Sequence, residues 1–282
     1  MYGRRPKLSL KNAHILVTGG SSGIGKSVAI YAASKGASVS LFARNQEKLA
    51  ATANEIKSHF INKDQKVTYA SVDLTGKFED ANAAVEKVIK EQKKNVDILV
   101  NCAGNSLSAQ FEDTKITDFK FMMDVNYFSA VFATQAVVKT MKKNGQGSIV
   151  FVSSQAGQLS FYGYSAYSAS KFALRGLAEA LCSELKPYNI SVTLAFPPDT
   201  DTPGFAEEQK SKPKETKLIS EAGGLVNPNV VAKKIVDSAL KRSFQCSVGL
   251  DGFLLATLTA GMVPVSTALE AFLQIFLMGP FH

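Results

Sequence analysis

The chain has few cysteines, no recognisable zinc-ligand spacing, no heptad array and no RNP-like motif. Its three cysteines, Cys102, Cys182 and Cys246, lie far apart and are odd in number. They support neither a disulfide framework nor a metal site, and they fit a reducing compartment. With none of the nucleic-acid signatures present, no nucleic-acid partner is expected. The opening stretch "MYGRRPKLSL" is short, basic and polar, with no apolar core of the kind a signal peptide needs. Acids are in deficit: 32 Lys+Arg face 24 Asp+Glu, a formal charge of +8. That balance calls for an anionic partner such as a phospholipid or a phosphorylated cofactor.

Long apolar runs are also scarce until the end of the chain. From Gly252 to Leu269 no charged residue occurs, and "AFLQIFLMGPFH" follows Glu270. Gly261 and Pro264 interrupt the first run, which makes an ordinary spanning helix a poor fit. Residues 250–282 are therefore expected to lie on a membrane surface or to be buried between subunits.

What is present is strict alternation. Short β-branched runs at "HILVTGG" (14–20), "ASVSLFAR" (37–44), "KVTYASVDL" (66–74), "VDILVNCAG" (96–104), "GSIVFVSS" (147–154) and "ISVTLAFPP" (190–198) alternate with helical stretches, and a short strand follows near 245–249. One of those helices is expected to run unbroken from about Thr117 to Lys143. Continuous apolar strands separated by helices predict a Rossmann-like, doubly wound parallel sheet of about seven strands in one α/β domain, residues 1–249. Residues 199–227 are polar, rich in Pro and Gly and without periodicity. They are expected to form an irregular loop over the substrate.

"TGGSSGIG" (18–25) leaves the first strand and opens the first helix. Gly19, Gly23 and Gly25 permit a tight turn and close backbone approach to a diphosphate, with Ser21, Ser22 and Ile24 on the same turn. A dinucleotide site selective for NAD wants a carboxylate at the end of the second strand. Here Arg44 stands at that point with Lys48 one turn later, a pair suited to the 2′-phosphate of NADPH. Asp73 and Leu74 end the third strand, where the Asp73 carboxylate can accept from an adenine amino group. Asn101, Ala103 and Gly104 end the fourth, where small residues let the backbone approach the adenosine half.

The motifs "TGGSSGIG", "NCAG" and Tyr167-Ser-Ala-Ser-Lys171, in this order, resemble the short-chain dehydrogenase/reductase family over residues 14–248. The resemblance implies a nicotinamide-dependent oxidoreductase with a Ser-Tyr-Lys-Asn tetrad. Tyr167 takes the place of the acid/base and Lys171 that of the cation beside it, one helical turn away. Ser154 is the carbonyl-polarising serine, with Ser153 as the alternative. Asn126 falls on the asparagine that holds a water linking Lys171 to solvent. The chemistry needs these types. Charge builds on a carbonyl oxygen as hydride arrives at its carbon, so a proton donor and a hydrogen-bond donor must face that oxygen. A free phenol has a pKa of about 10, and Lys171 together with the oxidised nicotinamide is expected to bring Tyr167 toward working pH.

After the sixth strand, "FPPDTDTPGF" aligns Pro197, Thr200 and Thr202 with family positions that grip the carboxamide, while Pro198 replaces a glycine. This stretch, with "SSQAGQLSFYGYSAYSASKFALRGLAEAL", resembles the branch of the family that reduces the 3-keto group of long-chain sphingoid bases. That branch works with NADPH at the endoplasmic reticulum membrane, its site facing the cytosol. The same resemblance implies an N-terminal hydrophobic anchor, which "MYGRRPKLSL" does not match, and a homodimer built on the helices around Asn126 and Tyr167. A membrane-associated steroid or retinoid carbonyl reductase, or a non-catalytic NADPH-binding interaction protein, would share the cofactor motifs.

Overall fold

Seven parallel strands form one sheet in the order β3-β2-β1-β4-β5-β6-β7. The structure is a computed structural model describing residues 8–259 and 267–278. The sheet comprises β1 (His14–Thr18), β2 (Ser38–Ala43), β3 (Val67–Ser71), β4 (Ile98–Asn101), β5 (Gly147–Val152), β6 (Ile190–Phe196) and β7 (Gln245–Ser247). Between them run α1 (Gly23–Ala33), α2 (Gln46–Lys57), α3 (Phe78–Gln92), α4 (Ile116–Met123), α5 (Ser129–Asn144), α6 (Ser165–Glu184), α7 (Pro203–Glu208), α8 (Lys214–Gly223) and α9 (Pro228–Leu240). Helices α10 (Gly249–Leu258) and α11 (Ala268–Met278) come last.

The strands are apolar on both faces because both faces are covered. Every residue of β1, β4, β5 and β6 is buried. Alternate side chains go to opposite cores. Leu16, Leu99, Phe151 and Leu194 pack with Val85 of α3, Val137 of α5 and Leu174 of α6. Ile15, Val100, Val150 and Ala195 pack with Val28 of α1, Ile56 of α2 and Ile235 of α9. The chain winds outward from β1 to β2 and β3, then returns to place β4 on the other side of β1. This reversal opens a crevice at the C-terminal ends of β1 and β4, where open α/β sheets bind ligands.

Two sequence expectations change. The unbroken helix over 117–143 is instead α4, one π-helical turn over Asp124–Phe128, and α5. A π-turn inserts one extra residue and re-aims the side chains around it; here it carries Asn126. Residues 199–227 are not an irregular loop. Thr202 caps α7 by accepting from Phe205 N at 3.1 Å, α8 follows, and Thr200 bridges to Val226. The Pro and Gly residues that break this stretch hid two short helices, α7 of 6 residues and α8 of 10.

In the apolar C-terminal segment α10 packs against α11, and Leu250, Phe253, Leu254, Leu258, Leu269, Phe272 and Phe276 remain exposed. Among the described residues no helix is long and apolar enough to cross a membrane. Gly261 and Pro264, and residues 1–7 of the basic N-terminus, lie outside the described residues.

A polar relay crosses the first three strands. Gln92 Nε2 donates to Thr68 Oγ1 at 3.2 Å, the Thr68 and Ser40 hydroxyls are 2.7 Å apart, and Ser40 Oγ lies 2.7 Å from His14 Nε2. His14 Nδ1 in turn lies 3.0 Å from the Lys94 carbonyl, which can only accept. The donors run in one direction only if His14 is neutral with its proton on Nδ1. Burial holds its pKa down at about 4. A base with a depressed folded pKa contributes stability that is complete above its unfolded value of 6.5 and is lost as pH falls toward 4. This group should remove up to about 3 kcal/mol of stability across that window. Urea unfolding at pH 7 and pH 4.5 should show a smaller acid loss in His14→Gln than in the unchanged chain. An equal loss in both would exclude His14 as the source.

Candidate active site

A cleft of about 440 Å³ runs over the C-terminal ends of β1, β2, β4, β5 and β6. At its centre the β1–α1 turn meets the end of β4. Gly19 sits at φ +66°, and a Cβ on it would lie 2.9 Å from Ala103 Cα. A Cβ on Gly25 would lie 2.4 Å from the Gly19 carbonyl oxygen. Thr18 Oγ1 accepts from both Cys102 N and Ala103 N at 3.0 Å, tying the two strand ends together. No side chain caps the N-terminus of α1, where Ser22 is the capping residue, so the first helical N–H groups face the cleft. Ser21, Ser22, Gly23, Ile24 and Gly25 line it there. Backbone donors at a helix N-terminus, with glycines keeping side chains out of the way, fit a dinucleotide's diphosphate.

One end of the cleft is basic. Arg44 and Lys48 line it and are exposed. Asn45 caps α2 by accepting from Lys48 N at 2.8 Å, which holds both cations at the helix start. Asp73, Leu74 and Thr75 form the adjoining wall. Asp73 Oδ1 accepts from Thr75 N at 2.9 Å and Thr75 Oγ1 at 2.8 Å. These bonds, helped by Arg44, hold its carboxyl below the usual range.

The other end gathers the reactive side chains. Tyr167 and Lys171 share a face of α6, with Lys171 Nζ 5.6 Å from the Tyr167 ring centroid. The ammonium donates to Val152 O at 3.1 Å and has no carboxylate partner among the described residues; burial lowers its pKa to about 8. Ser154 is the serine that favours the ionised form of the Tyr167 phenol. Ser153 Oγ is buried and donates instead to the Lys171 carbonyl at 3.0 Å, so its hydroxyl braces α6. Burial raises the Tyr167 pKa above its ordinary value; the Ser154 hydrogen bond opposes the rise, while Glu208 and Asp199 add to it. The protein's own groups thus leave the phenol raised, and the expected move toward working pH counts on the oxidised nicotinamide beside Lys171 as well.

Several expected residues lie elsewhere than the cleft wall. Asn101 is buried behind it, with Nδ2 donating to Thr134 Oγ1 at 3.1 Å. Asn126 is also buried. Its Oδ1 accepts from Asn105 N at 2.9 Å, and its Nδ2 donates to Asn105 O at 2.9 Å and Ser170 Oγ at 3.0 Å. It braces the loop after β4 against α6, and its amide is taken up by protein partners. Ala103, Gly104, Pro197, Thr200 and Thr202 do line the cleft. The two threonine hydroxyls are engaged locally, Thr200 with the Pro198 carbonyl at 2.7 Å and Thr202 as the cap of α7.

The sequence reading missed an ionic network on the wall beside Tyr167. Glu208 Oε1 accepts from Tyr164 Oη and lies 2.9 Å from Lys212 Nζ, while Glu208 Oε2 accepts from Ser106 Oγ. Lys212 also lies 4.0 Å from Asp199 Oδ2 and donates to Ser220 Oγ at 3.1 Å. The available signal was the i, i+4 spacing of Glu208 and Lys212, which is ordinary on exposed helices.

A family model described as short chain dehydrogenase matches residues 13–213. The chain belongs to this family. It is 51% identical over 275 residues to a Bos taurus protein named 3-ketodihydrosphingosine reductase, covering 98% of this chain and 82% of the relative. It is 52% identical over 275 residues to a Danio rerio protein named 3-dehydrosphinganine reductase, with the same coverage. An Arabidopsis thaliana 3-dehydrosphinganine reductase is 42% identical over 279 residues, 98% of this chain and 83% of that one. Among solved structures, a short-chain type dehydrogenase/reductase from Mycobacterium ulcerans aligns with a TM-score of 0.74 at 25% identity, over 83% of this chain and 84% of its own. The chain is therefore an oxidoreductase that uses a nicotinamide cofactor, and the glycine turn and uncapped α1 fit that group. In Gly25→Ala the added methyl collides with the Gly19 carbonyl, so nicotinamide-nucleotide affinity should fall at least about tenfold, an estimate for a displaced backbone cradle. Fluorescence titration would check it, and an unchanged Kd would remove the turn from the cofactor site.

Proposed function

We propose that this chain reduces the 3-keto group of 3-ketodihydrosphingosine (3-dehydrosphinganine) to dihydrosphingosine, using NADPH. The observation that carries the reading is identity of 51–52% over 98% of the chain to vertebrate reductases bearing that name. The cleft supports it by bringing Ser154, Tyr167 and Lys171 to one end and the cofactor motifs to the rest.

A bound dihydronicotinamide supplies hydride to the carbonyl carbon. Tyr167 Oη donates its proton to the carbonyl oxygen, and a phenol whose pKa is raised by burial is fully protonated at neutral pH, as an acid must be. Ser154 Oγ donates a hydrogen bond to the same oxygen as its charge develops. Lys171, close to the ring and desolvated, stabilises the phenolate left behind. Asn126 acts one layer out, tying the Asn105 backbone to Ser170 on the helix that carries Lys171.

NADPH rather than NADH is supported by Arg44 and Lys48 at the far end of the cleft, where no carboxylate stands at residue 44. In this reading residues 1–249 are the NADP-binding reductase domain and 199–227 cover the substrate. Residues 250–282 meet the membrane surface through the exposed apolar side chains of α10 and α11. The site faces the cytosol at the endoplasmic reticulum membrane. Phe128 and Phe172, exposed beside α5 and on α6, offer a surface for a homodimer.

The test is NADPH oxidation by the full chain with detergent-dispersed 3-ketodihydrosphingosine, beside a steroid ketone and retinal. Turnover confined to the sphingoid ketone is expected, and preference for either other carbonyl would replace the substrate. Tyr167→Phe should cut turnover by at least about 10²-fold, the scale of general-acid catalysis, while NADPH still binds. Retained turnover would remove Tyr167 from the acid role. Arg44→Ala should weaken NADPH about tenfold more than NADH, the scale of one charged hydrogen bond. Equal losses for the two nucleotides would count against a 2′-phosphate contact.

A further inference from the structure

The wall beside Tyr167 holds one ammonium between two carboxylates, so the network of Asp199, Glu208 and Lys212 carries a net negative charge. Two of its three members are withdrawn from water, while the Asp199 side chain is 34% exposed at the cleft. The Lys212 side chain is 0% exposed and that of Glu208 8%, and Lys212 Nζ sits 4.7 Å from the Phe205 ring centroid. Buried charge is costly unless it is paired, and within this network, leaving Lys171 aside, the pairing falls short by one cation. Both carboxylates retain acceptor capacity, and both residues line the cleft. A carboxylate has about four acceptor positions. Glu208 fills two on Oε1, with Lys212 and Tyr164, and one on Oε2, with Ser106. Asp199 Oδ2 accepts from Ser220, and its Oδ1 accepts from no donor among the described residues. Burial raises the Asp199 carboxyl above its ordinary range, as expected of a carboxylate whose compensation is incomplete.

The network also stands beside the reacting group. Tyr164, which donates to Glu208, has its ring centroid 5.4 Å from that of Tyr167. Both carboxylates line the cleft and their charges reach the Tyr167 phenol. The proposed substrate is a 2-amino-3-ketone, whose amino nitrogen is bonded to the carbon next to the carbonyl. A carbonyl held at Tyr167 therefore carries a protonated amine into its immediate surroundings.

We infer that Asp199 and Glu208 bind the protonated amino group of the substrate and so make this cleft selective for α-amino ketones. Lys212 holds the two carboxylates together, and the incoming ammonium completes the charge balance. The inference rests on the sphingoid-ketone reading above. A neutral ketone leaves the surplus carboxylate without a counter-charge, and an N-acylated amine brings no charge to it.

The experiment compares kcat/KM of the full chain with NADPH for 3-ketodihydrosphingosine, its N-acetyl derivative and the long-chain ketone of equal length lacking the amine. The unchanged chain should favour the free amine at least about tenfold, the scale of one charged hydrogen bond. Glu208→Gln and Asp199→Asn should each collapse that ratio, with the loss falling mainly on the amino ketone. A loss shared equally by amine and amine-free ketones would overturn the inference and leave a packing role for the network. So would an unchanged chain that does not discriminate, a result that needs no variant and stands even if Glu208→Gln fails to fold. Those two outcomes leave the sphingoid-ketone reading intact. No turnover of 3-ketodihydrosphingosine by the unchanged chain would defeat that reading and the inference with it.

Discussion

Thr18 Oγ1 accepts two backbone N–H groups from the end of β4, and much of the active cleft depends on that junction. It joins two neighbouring strands whose onward chains part, one through the glycine turn into α1 and one through Gly104 into the loop before α4. Backbone can approach backbone there only where side chains are missing. A Cβ on Gly19 would press on Ala103, and one on Gly104 would lie 2.7 Å from Asn126 Oδ1. The same crowding that demands glycine leaves the N-terminus of α1 open to a diphosphate. A crevice between diverging strands thus becomes a cofactor site with few side chains of its own.

Around this junction the protein sorts charge along the cleft. The basic end, at Arg44 and Lys48, is exposed and suited to a phosphate. The reactive end is desolvated, and its two cations are handled differently. Among the described residues the Lys171 ammonium has only a backbone carbonyl as hydrogen-bond partner, and burial lowers its pKa to about 8, a cation ready to respond to a nearby phenolate. Lys212, a short distance away, is clasped by carboxylates. The first arrangement suits a group that must answer to charge appearing during reaction; the second suits one that fixes the shape and charge of a binding wall.

Packing behind the site is equally selective. Ser153 and Ser154 are neighbours at the end of β5, yet one braces the Lys171 carbonyl and the other faces Tyr167. Strand alternation sends successive side chains to opposite faces, so adjacency in sequence guarantees different surroundings. Asn126, presented by a π-turn, holds the loop after β4 against α6 through three hydrogen bonds. These contacts brace the helix that carries Tyr167 and Lys171.

By itself the sequence determined the alternation of strands and helices, the doubly wound sheet, the glycine turn and the Tyr167–Lys171 pair. Each is written in local periodicity or short spacing, which the chain reveals without knowing its neighbours. Tertiary structure alone decided the rest. It turned the Ser153 hydroxyl onto the Lys171 carbonyl and withdrew Asn101 and Asn126 from the cleft wall. It also drew Ser106, Tyr164, Asp199, Glu208, Lys212 and Ser220 into one network from segments up to 114 residues apart in the sequence. Burial and charge balance are properties of the assembled interior, and no spacing along the chain encodes how much water a side chain keeps.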